Sequence, residues 1–308
     1  LIVFKIFKSN IKSFEIIRWS ISCLLIFLIP FLCSYFLYQK NKKIYFDSKV
    51  DILLIQPNID PYEEKFTMAQ SSQTSIVVDL INDYITDSTD FIVLPETFLS
   101  APIWTHRLTD NLDIKTFQNT LLKYTNLNIV VGATSLSYVD KSASAKRSKS
   151  HEKLWYEVYN SAILLNIDTL LIYHKSKLVP GAEKFPFSDI LHPLIGDVIL
   201  DIGNSTSLGN FGTQESPSVF SSLTNEMVAP IICYESIYPD YVSKFVNKGA
   251  QIIFIITNDG WWKDTGGYQQ HSMYAKLRAI ETRRYIARTA NTGISSVINH
   301  LGETEISL

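Results

Sequence analysis

From Trp19 to Gln39 the chain carries no charged residue, and this run constrains the fold more than any other feature. About 20 apolar residues at a rise of ~1.5 Å span a hydrocarbon core of ~30 Å, so residues 19–39 predict a transmembrane helix. Trp19, Tyr35 and Tyr38 stand near its ends, where amphipathic rings favour the interface, and Arg18 and Lys40 bracket it. Pro30 at mid-span predicts a kink rather than a break. The competing identities are a buried core helix and a secretory signal. A signal has an apolar core of ~7–15 residues and a small-residue cleavage site, and the run lacks that site. Orientation is not legible from charge, because Lys5, Lys8, Lys12 and Arg18 on one side are matched by Lys40, Lys42, Lys43 and Lys49 on the other. Residues 1–18 read as a membrane-proximal segment, either an interfacial helix or a loop after an earlier span. A start without Met and the end at Leu308 lead us to expect a piece of a longer chain, cut at both ends.

Beyond Lys49 the pattern changes to short β-rich runs separated by helix-length polar segments. Expected strands are residues 52–56, 91–94, 129–133, 161–165, 170–173, 228–233, 252–257 and 284–291; expected helices are residues 68–84, 114–124, 238–248 and 269–283. Such alternation points to an α/β domain over residues 50–308. Ser/Lys-rich residues 141–150 and Gly/Ser/Asn-rich residues 203–222 read as surface loops. With 28 Lys+Arg against 30 Asp+Glu, the chain lacks the cationic excess that nucleic-acid binding requires. Of three cysteines, Cys23 and Cys33 fall in the apolar run. A disulfide framework is therefore not expected, and Cys233 stands alone.

Three apolar strands end in groups that can do chemistry. Residues 228–232 deliver Cys233 to a strand's C-terminal end, residues 91–94 deliver Glu96 behind Pro95, and residues 170–173 deliver Lys175. Open α/β sheets place ligands at such ends. A cysteine behind two isoleucines is by itself more often a small core residue. With a carboxylate to take its proton and an ammonium to hold an oxyanion, it becomes a candidate acyl-transfer nucleophile. Other residues receive plainer readings. Arg278, Glu281 and Arg284, spaced three apart, suggest an ion-pair ladder on a helix surface. His271 reads as structural, Trp261-Trp262 as either core packing or lipid contact, and no metal or cofactor is expected because the histidines lack ligand spacing.

These residues resemble the nitrilase superfamily, and within it the apolipoprotein N-acyltransferase family. The resemblance rests on Gln56-Pro57-Asn58-Ile59-Asp60, Leu94-Pro95-Glu96-Thr97, Tyr159-Asn160-Ser161-Ala162, Tyr173-His174-Lys175-Ser176-Lys177-Leu178-Val179-Pro180, Cys233-Tyr234-Glu235-Ser236 and Thr257-Asn258-Asp259-Gly260-Trp261-Trp262. Residues 267–271, 278–281 and 288–295 agree with it. It implies a four-layer α-β-β-α sandwich, with Glu96 as general base, Lys175 as oxyanion stabiliser and Cys233 as nucleophile. Glu183, Tyr234 and Glu235 would support them, with the Tyr234 N–H in the oxyanion hole. Phe66 falls where the family often has Trp in a substrate-facing loop, and Trp261 and Trp262 are weaker substrate-binding candidates. Pro180-Gly181-Ala182-Glu183 replaces the usual Pro-Phe-Gly-Glu; these departures bear on acyl-chain preference rather than on the chemistry.

The resemblance further implies transfer of the sn-1 acyl chain of a membrane phospholipid, through a cysteine thioester, to the α-amino group of a diacylglyceryl-cysteine apolipoprotein. Its setting would be the bacterial cytoplasmic (inner) membrane, in a multi-pass monomer with its catalytic domain on the periplasmic side. The alternatives are an amidase of the same superfamily acting on a small amide, and a catalytically dead membrane-anchored scaffold.

Overall fold

Helix α1 (Ser13–Asn41) contains the whole charge-free run and passes through Pro30 without interruption. In the computed structural model, residues 13–44, 49–140, 146–147, 154–184 and 211–308 are described. The helix starts earlier than expected, so residues 13–18 are its first turns and not a separate membrane-proximal segment. Phe14, Ile16 and Ile17 extend the apolar run, and Glu15 in the first turn places a carboxylate against the positive end of the helix dipole. Residues 1–12 lie outside the described residues. Phe14–Asn41 is long and apolar enough to cross a membrane, with mean hydropathy 2.3 and no part of that window buried. The Arg18 guanidinium lies 5.7 Å from the Trp19 ring centroid and the Lys42 ammonium 5.9 Å from that of Tyr38.

The chain divides into Leu1–Lys49 and Val50–Leu308. The second unit is built on two mixed sheets. One holds β1 (Ile52–Leu54), β2 (Phe91–Val93), β3 (Leu99–Trp104), β4 (Asn128–Val139), β5 (Lys146–Arg147), β6 (Trp155–Leu165) and β7 (Leu170–His174), ordered β1-β2-β4-β6-β5 with β3 also on β4 and β7 also on β6. The other runs β13-β12-β11-β10-β9-β8, from β8 (Phe220–Ser221), β9 (Met227–Ile232), β10 (Ile252–Thr257), β11 (Tyr285–Ala290), β12 (Ser296–Ile298) and β13 (Thr304–Ser307). The strands β1, β2 and β4 are parallel to one another, as are β9, β10 and β11.

Side-chain alternation sets the layers. Phe91, Val93, Val130, Ala162 and Leu164 share one core with Val228, Ile231 and Phe254 of the opposite sheet. The Phe91 and Phe254 rings meet edge to face at 5.1 Å. The intervening residues Ile92, Ile129, Val131, Ile163 and Leu165 point the other way, into a second core. That core is closed by α2 (Gln70–Tyr84) through Val77 and Ile81, and by α3 (Leu112–Leu121) through Ile114 and Phe117. The Asn111 side chain caps α3 by accepting from the Ile114 N–H at 3.1 Å. Helices α4 (Pro239–Asn247), with Pro at its start where no N–H is needed, and α5 (Gly267–Thr282) pack on the second sheet through Tyr241, Val242, Phe245, Ala275 and Ala279. The result is the α-β-β-α sandwich.

Strand β4 runs six residues beyond the expected 129–133, to Val139, and β6 begins at Trp155 instead of 161. Their extensions pair Ser135 with Tyr159 and Ser137 with Glu157, so polar side chains concealed a continuous ladder. Residues 141–145 and 148–150 of the expected loop 141–150, and residues 203–210 of the other, lie outside the described residues.

Candidate active site

Strands β2, β7 and β9 bring their C-terminal ends to one place. Pro95 ends β2 because it has no N–H to continue the ladder, and the next turn carries Glu96 and a left-handed Thr97, φ 46°. That turn lies directly on β4 at Gly132, whose N–H donates to the Pro95 carbonyl at 3.2 Å. A Cβ at Gly132 would sit 2.4 Å from the Pro95 oxygen and 2.6 Å from the Glu96 Cα. Only glycine allows the carboxylate-bearing turn this close to the sheet.

Glu96 is buried, and its Oε1 accepts from Lys175 Nζ at 3.0 Å and from Asn160 Nδ2 at 2.8 Å. Its Oε2 accepts from the Asn258 backbone N–H at 3.2 Å. Lys175 is fully buried at the end of β7, with its N–H on the Asn160 carbonyl (2.8 Å). Its ammonium is shared with Glu183 Oε1 at 2.9 Å. Glu183 in turn accepts from Asn160 Nδ2 (2.8 Å) and, through Oε2, from the Val179 N–H (2.9 Å), which closes the loop after Lys175.

Cys233 begins a 3-10 turn, Cys233–Ile237, directly after β9, and holds φ 48°, a conformation that costs a non-glycine residue about 1–3 kcal/mol. Glu235 braces this turn. Fully buried, it accepts through Oε2 from the Ile232 N–H (2.9 Å) and through Oε1 from the Tyr173 hydroxyl (2.6 Å) and the Ser176 and Lys177 N–H groups (2.7 and 3.2 Å). One carboxylate thus ties the Cys233 turn in one sheet to the Lys175 turn in the other.

The electrostatics sort these groups into defined protonation states. Burial pushes the Cys233 thiol well up and the Glu96 charge pushes it further, against the opposing pull of Lys175 and Thr257. Burial would raise Glu96 as well, but Lys175, the Asn160 hydrogen bond and Lys65 carry it below the ordinary carboxylate value. Lys175 loses to burial and gains more from Glu96 and Glu183, so it stays charged. The resting site is a neutral thiol beside an ionised carboxylate and an ammonium, a state in which the proton can move as sulfur attacks a carbonyl. Asn160 Oδ1 and Asn258 Nδ2, both buried here, have no hydrogen-bond partner among the described residues. A substrate's polar groups could satisfy them.

The carbon-nitrogen hydrolase family pattern matches residues 54–306. The chain belongs to the carbon-nitrogen hydrolase family. This carbon-nitrogen hydrolase chain is 31% identical over 252 residues to the apolipoprotein N-acyltransferase of Chlorobaculum tepidum, which covers 80% of this chain and 46% of the relative. It is 27% identical to that of Rickettsia prowazekii, over 82% of this chain and 46% of the relative. The chain therefore spans a little under half the length of these curated relatives. Among solved structures it resembles Nit3 of Saccharomyces cerevisiae, a member of the nitrilase superfamily, with TM-score 0.54 at 16% identity over 85% of this chain and 88% of that one. A Nesterenkonia amidase of the same superfamily gives TM-score 0.54 at 13% identity, over 86% and 88%. At these identities the structural likeness establishes the fold alone.

The three expected substrate-facing residues of this carbon-nitrogen hydrolase lie at the surface, and Tyr234 is half-buried. Phe66, Trp261 and Trp262 are exposed, so Trp261-Trp262 is not core packing. Phe66 stacks on Trp261 at 6.4 Å, and Tyr62 meets Trp261 edge to face at 5.4 Å while its hydroxyl donates to the Trp261 carbonyl at 3.0 Å. The Trp262 ring lies against Gly267, where a Cβ would come within 2.3 Å of it. The Tyr234 ring meets Tyr238 edge to face at 5.4 Å.

Four contributions escaped the sequence reading. Asn160 bridges Glu96 and Glu183, although only its motif was visible. Asn258 supplies a backbone donor to Glu96. Lys65 places a buried ammonium on the Glu96 turn, 2.7 Å from Thr97 Oγ1 and 3.3 Å from the Glu96 carbonyl. Finally, a buried chain backs Cys233: Arg288 donates to both Asp259 oxygens (3.0 and 2.8 Å), Asp259 meets His271 Nδ1 at 3.0 Å, and His271 Nε2 lies 3.2 Å from the Cys233 carbonyl and 3.1 Å from Ser236 Oγ. The expected surface ladder is corrected. Arg278 is buried and donates to the Ser236 and Ile237 carbonyls as well as to Glu281, while Arg284 lies beyond α5 and donates to the Ala250 carbonyl.

Proposed function

We propose that the chain carries the catalytic site of an apolipoprotein N-acyltransferase working by a ping-pong route. Glu96 takes the Cys233 proton as sulfur attacks the sn-1 ester carbonyl of a phospholipid. The tetrahedral oxyanion is held by Lys175 and the Tyr234 N–H, with Glu183 and Glu235 fixing these groups. The C–O bond then breaks, the departing lysophospholipid oxygen takes the proton from Glu96, and an S-acyl thioester remains. In the second half the free α-amino group of a diacylglyceryl-cysteine attacks the thioester carbonyl. Glu96 accepts the amine proton and returns it to sulfur as the thiolate leaves, giving an amide-linked third chain.

A single observation carries this reading: a neutral thiol set beside an ionised, lysine-paired carboxylate, in a chain that aligns over most of its length with relatives named apolipoprotein N-acyltransferase. The exposed cluster of Phe66, Trp261 and Trp262 offers apolar area for an acyl chain, and an apolar helix precedes the domain. Both proposed substrates are anchored in a bilayer, so the proposed setting is a catalytic domain tethered to the periplasmic side of the inner membrane by this and further spans.

The test uses the protein in phospholipid vesicles with a diacylglyceryl-cysteine peptide. The expected result is a peptide bearing an amide-linked acyl chain, abolished by Cys233→Ser with folding retained. Release of free fatty acid at an unchanged rate with or without peptide would instead make the site a hydrolase. Peptide acylation by Cys233→Ser at the wild-type rate would remove the thioester.

A further inference from the structure

Lys65 belongs to a loop that reads in sequence as solvated, Glu63-Glu64-Lys65, yet its side chain is 3% exposed. The backbone around it is fixed from both sides. The Lys65 N–H donates to the Asp60 carbonyl at 2.8 Å, and the Lys65 carbonyl accepts from the buried Gln73 Nε2 at 2.8 Å. Its ammonium reaches the catalytic turn, where Thr97 Oγ1 accepts at 2.7 Å and the Glu96 carbonyl at 3.3 Å. The next residue, Phe66, points the opposite way and stacks on Trp261.

Two facts separate this arrangement from plain packing. Thr97 is β-branched and left-handed, a conformation that persists only where surroundings impose it. Burying an ammonium is also costly, and a neutral donor could anchor the same two acceptors, so the charge itself needs a purpose. The charged and titratable groups that face it are Glu96 and the Cys233 thiol, with Lys175 and Glu183 one contact further.

We infer that Lys65 is a positioning residue of this active site: it pins the Glu96–Thr97 turn, supplies a second cation that favours the Cys233 thiolate and the Glu96 carboxylate, and ties both to the loop that carries Phe66. Burial lowers Lys65 itself to about 8, while Glu96 and Cys233 resist that fall, so it is charged through the neutral range and gives up its charge in mild alkali. The acyl-transfer part of this role rests on the function proposed above, but the effect on the thiol does not.

The experiment therefore reads the thiol directly. Alkylation of Cys233 by iodoacetamide is followed by peptide mass spectrometry across pH 6–10 in the full chain, for wild type, Lys65→Met and Lys65→Arg, with thermal unfolding of each. Removing a cation beside a forming thiolate moves its pKa up, and one unit is tenfold in thiolate population. Lys65→Met is expected to slow alkylation at pH 7 by about tenfold and to shift the profile to higher pH, with Lys65→Arg restoring most of the rate. Thr97→Val, which removes only the acceptor and keeps the shape, should slow it by less. Wild-type alkylation in both Lys65→Met and Thr97→Val would overturn the inference. So would equal slowing in the Met and Arg variants in step with a lost unfolding transition, which would make the role packing alone. Because iodoacetamide needs no lipid, failure of acyl transfer with an intact alkylation effect would sink the acyltransferase reading and leave Lys65 standing.

Discussion

Gly132→Ala adds one methyl group, and the structure says where it would go. The new Cβ would stand 2.4 Å from the Pro95 oxygen, 2.6 Å from the Glu96 Cα and 2.6 Å from the Thr97 nitrogen. All three are backbone atoms of one turn, so no side chain can rotate away. Ordinary contact begins near 3.4 Å, so the turn must retreat by about 1 Å. Overpacking of this kind costs roughly 1–3 kcal/mol, partly offset by about 0.4–1 kcal/mol from the stiffer unfolded chain. The larger effect falls on chemistry, because a misplacement of ~1 Å in a catalytic group can cost on the order of 10²-fold. The expected variant is folded, with an unfolding midpoint lowered by a few degrees, and forms acyl-enzyme about a hundredfold more slowly. Wild-type acylation by a stably folded Gly132→Ala protein would refute the claim that the Glu96 turn must lie against β4 for catalysis.

Further predictions follow from the buried charges and the exposed rings. Arg288→Met strands the Asp259 carboxylate, which burial would raise but His271 and Arg288 hold below its ordinary value. A loss of about 3–5 kcal/mol in denaturant unfolding is expected, and a loss under about 1 kcal/mol would show that the network contributes little. Glu235 is raised by burial to about 7, against its four donors. A carboxyl held more tightly protonated in the folded than in the unfolded chain stabilises fully below its ordinary value and loses that stability as pH rises through about 7. Whatever constant cost the Gln amide meets among these donors, Glu235→Gln should therefore gain stability relative to wild type between pH 5 and pH 8; a pH-independent difference in unfolding midpoints would contradict this. Trp261→Ala removes an exposed ring stacked on Phe66 and should leave the unfolding midpoint unchanged while raising KM for the lipid donor about 2–10-fold. An unchanged KM would detach this rim from the substrate.

The elements legible in sequence were those whose pattern is carried by the chain locally. Residues 252–257 form a strand as read because Ile252-Ile253-Phe254-Ile255-Ile256 is apolar on both faces, with a core on each side. Strand β3 was not legible, since Ala101-Pro102 interrupts it and its partner is β4, reached across a 3-10 turn (Thr105–Asp110) and α3. Strands β12 and β13 were missed because they are short, at three and four residues, and β13 is exposed throughout. Glu96, Lys175 and Cys233 stood out because each follows an apolar strand at a sharp change to polar residues. Lys65 and His271 did not, because their roles lie in contacts 31 and 38 residues away, with the Glu96 and Cys233 carbonyls. Local spacing misled at Arg278 for the same reason. A three-residue repeat looks identical on an exposed face and on one pressed against the Cys233 turn.

The central claim is that Cys233 carries an acyl chain between two lipids, and intact-mass spectrometry tests it most directly. After incubation with phospholipid vesicles, the protein should gain one acyl-sized mass localised to Cys233, and that gain should vanish as a diacylglyceryl-cysteine peptide acquires an amide-linked chain. An acyl mass that decays at the same rate without peptide, or no mass on Cys233 at all, would contradict the account.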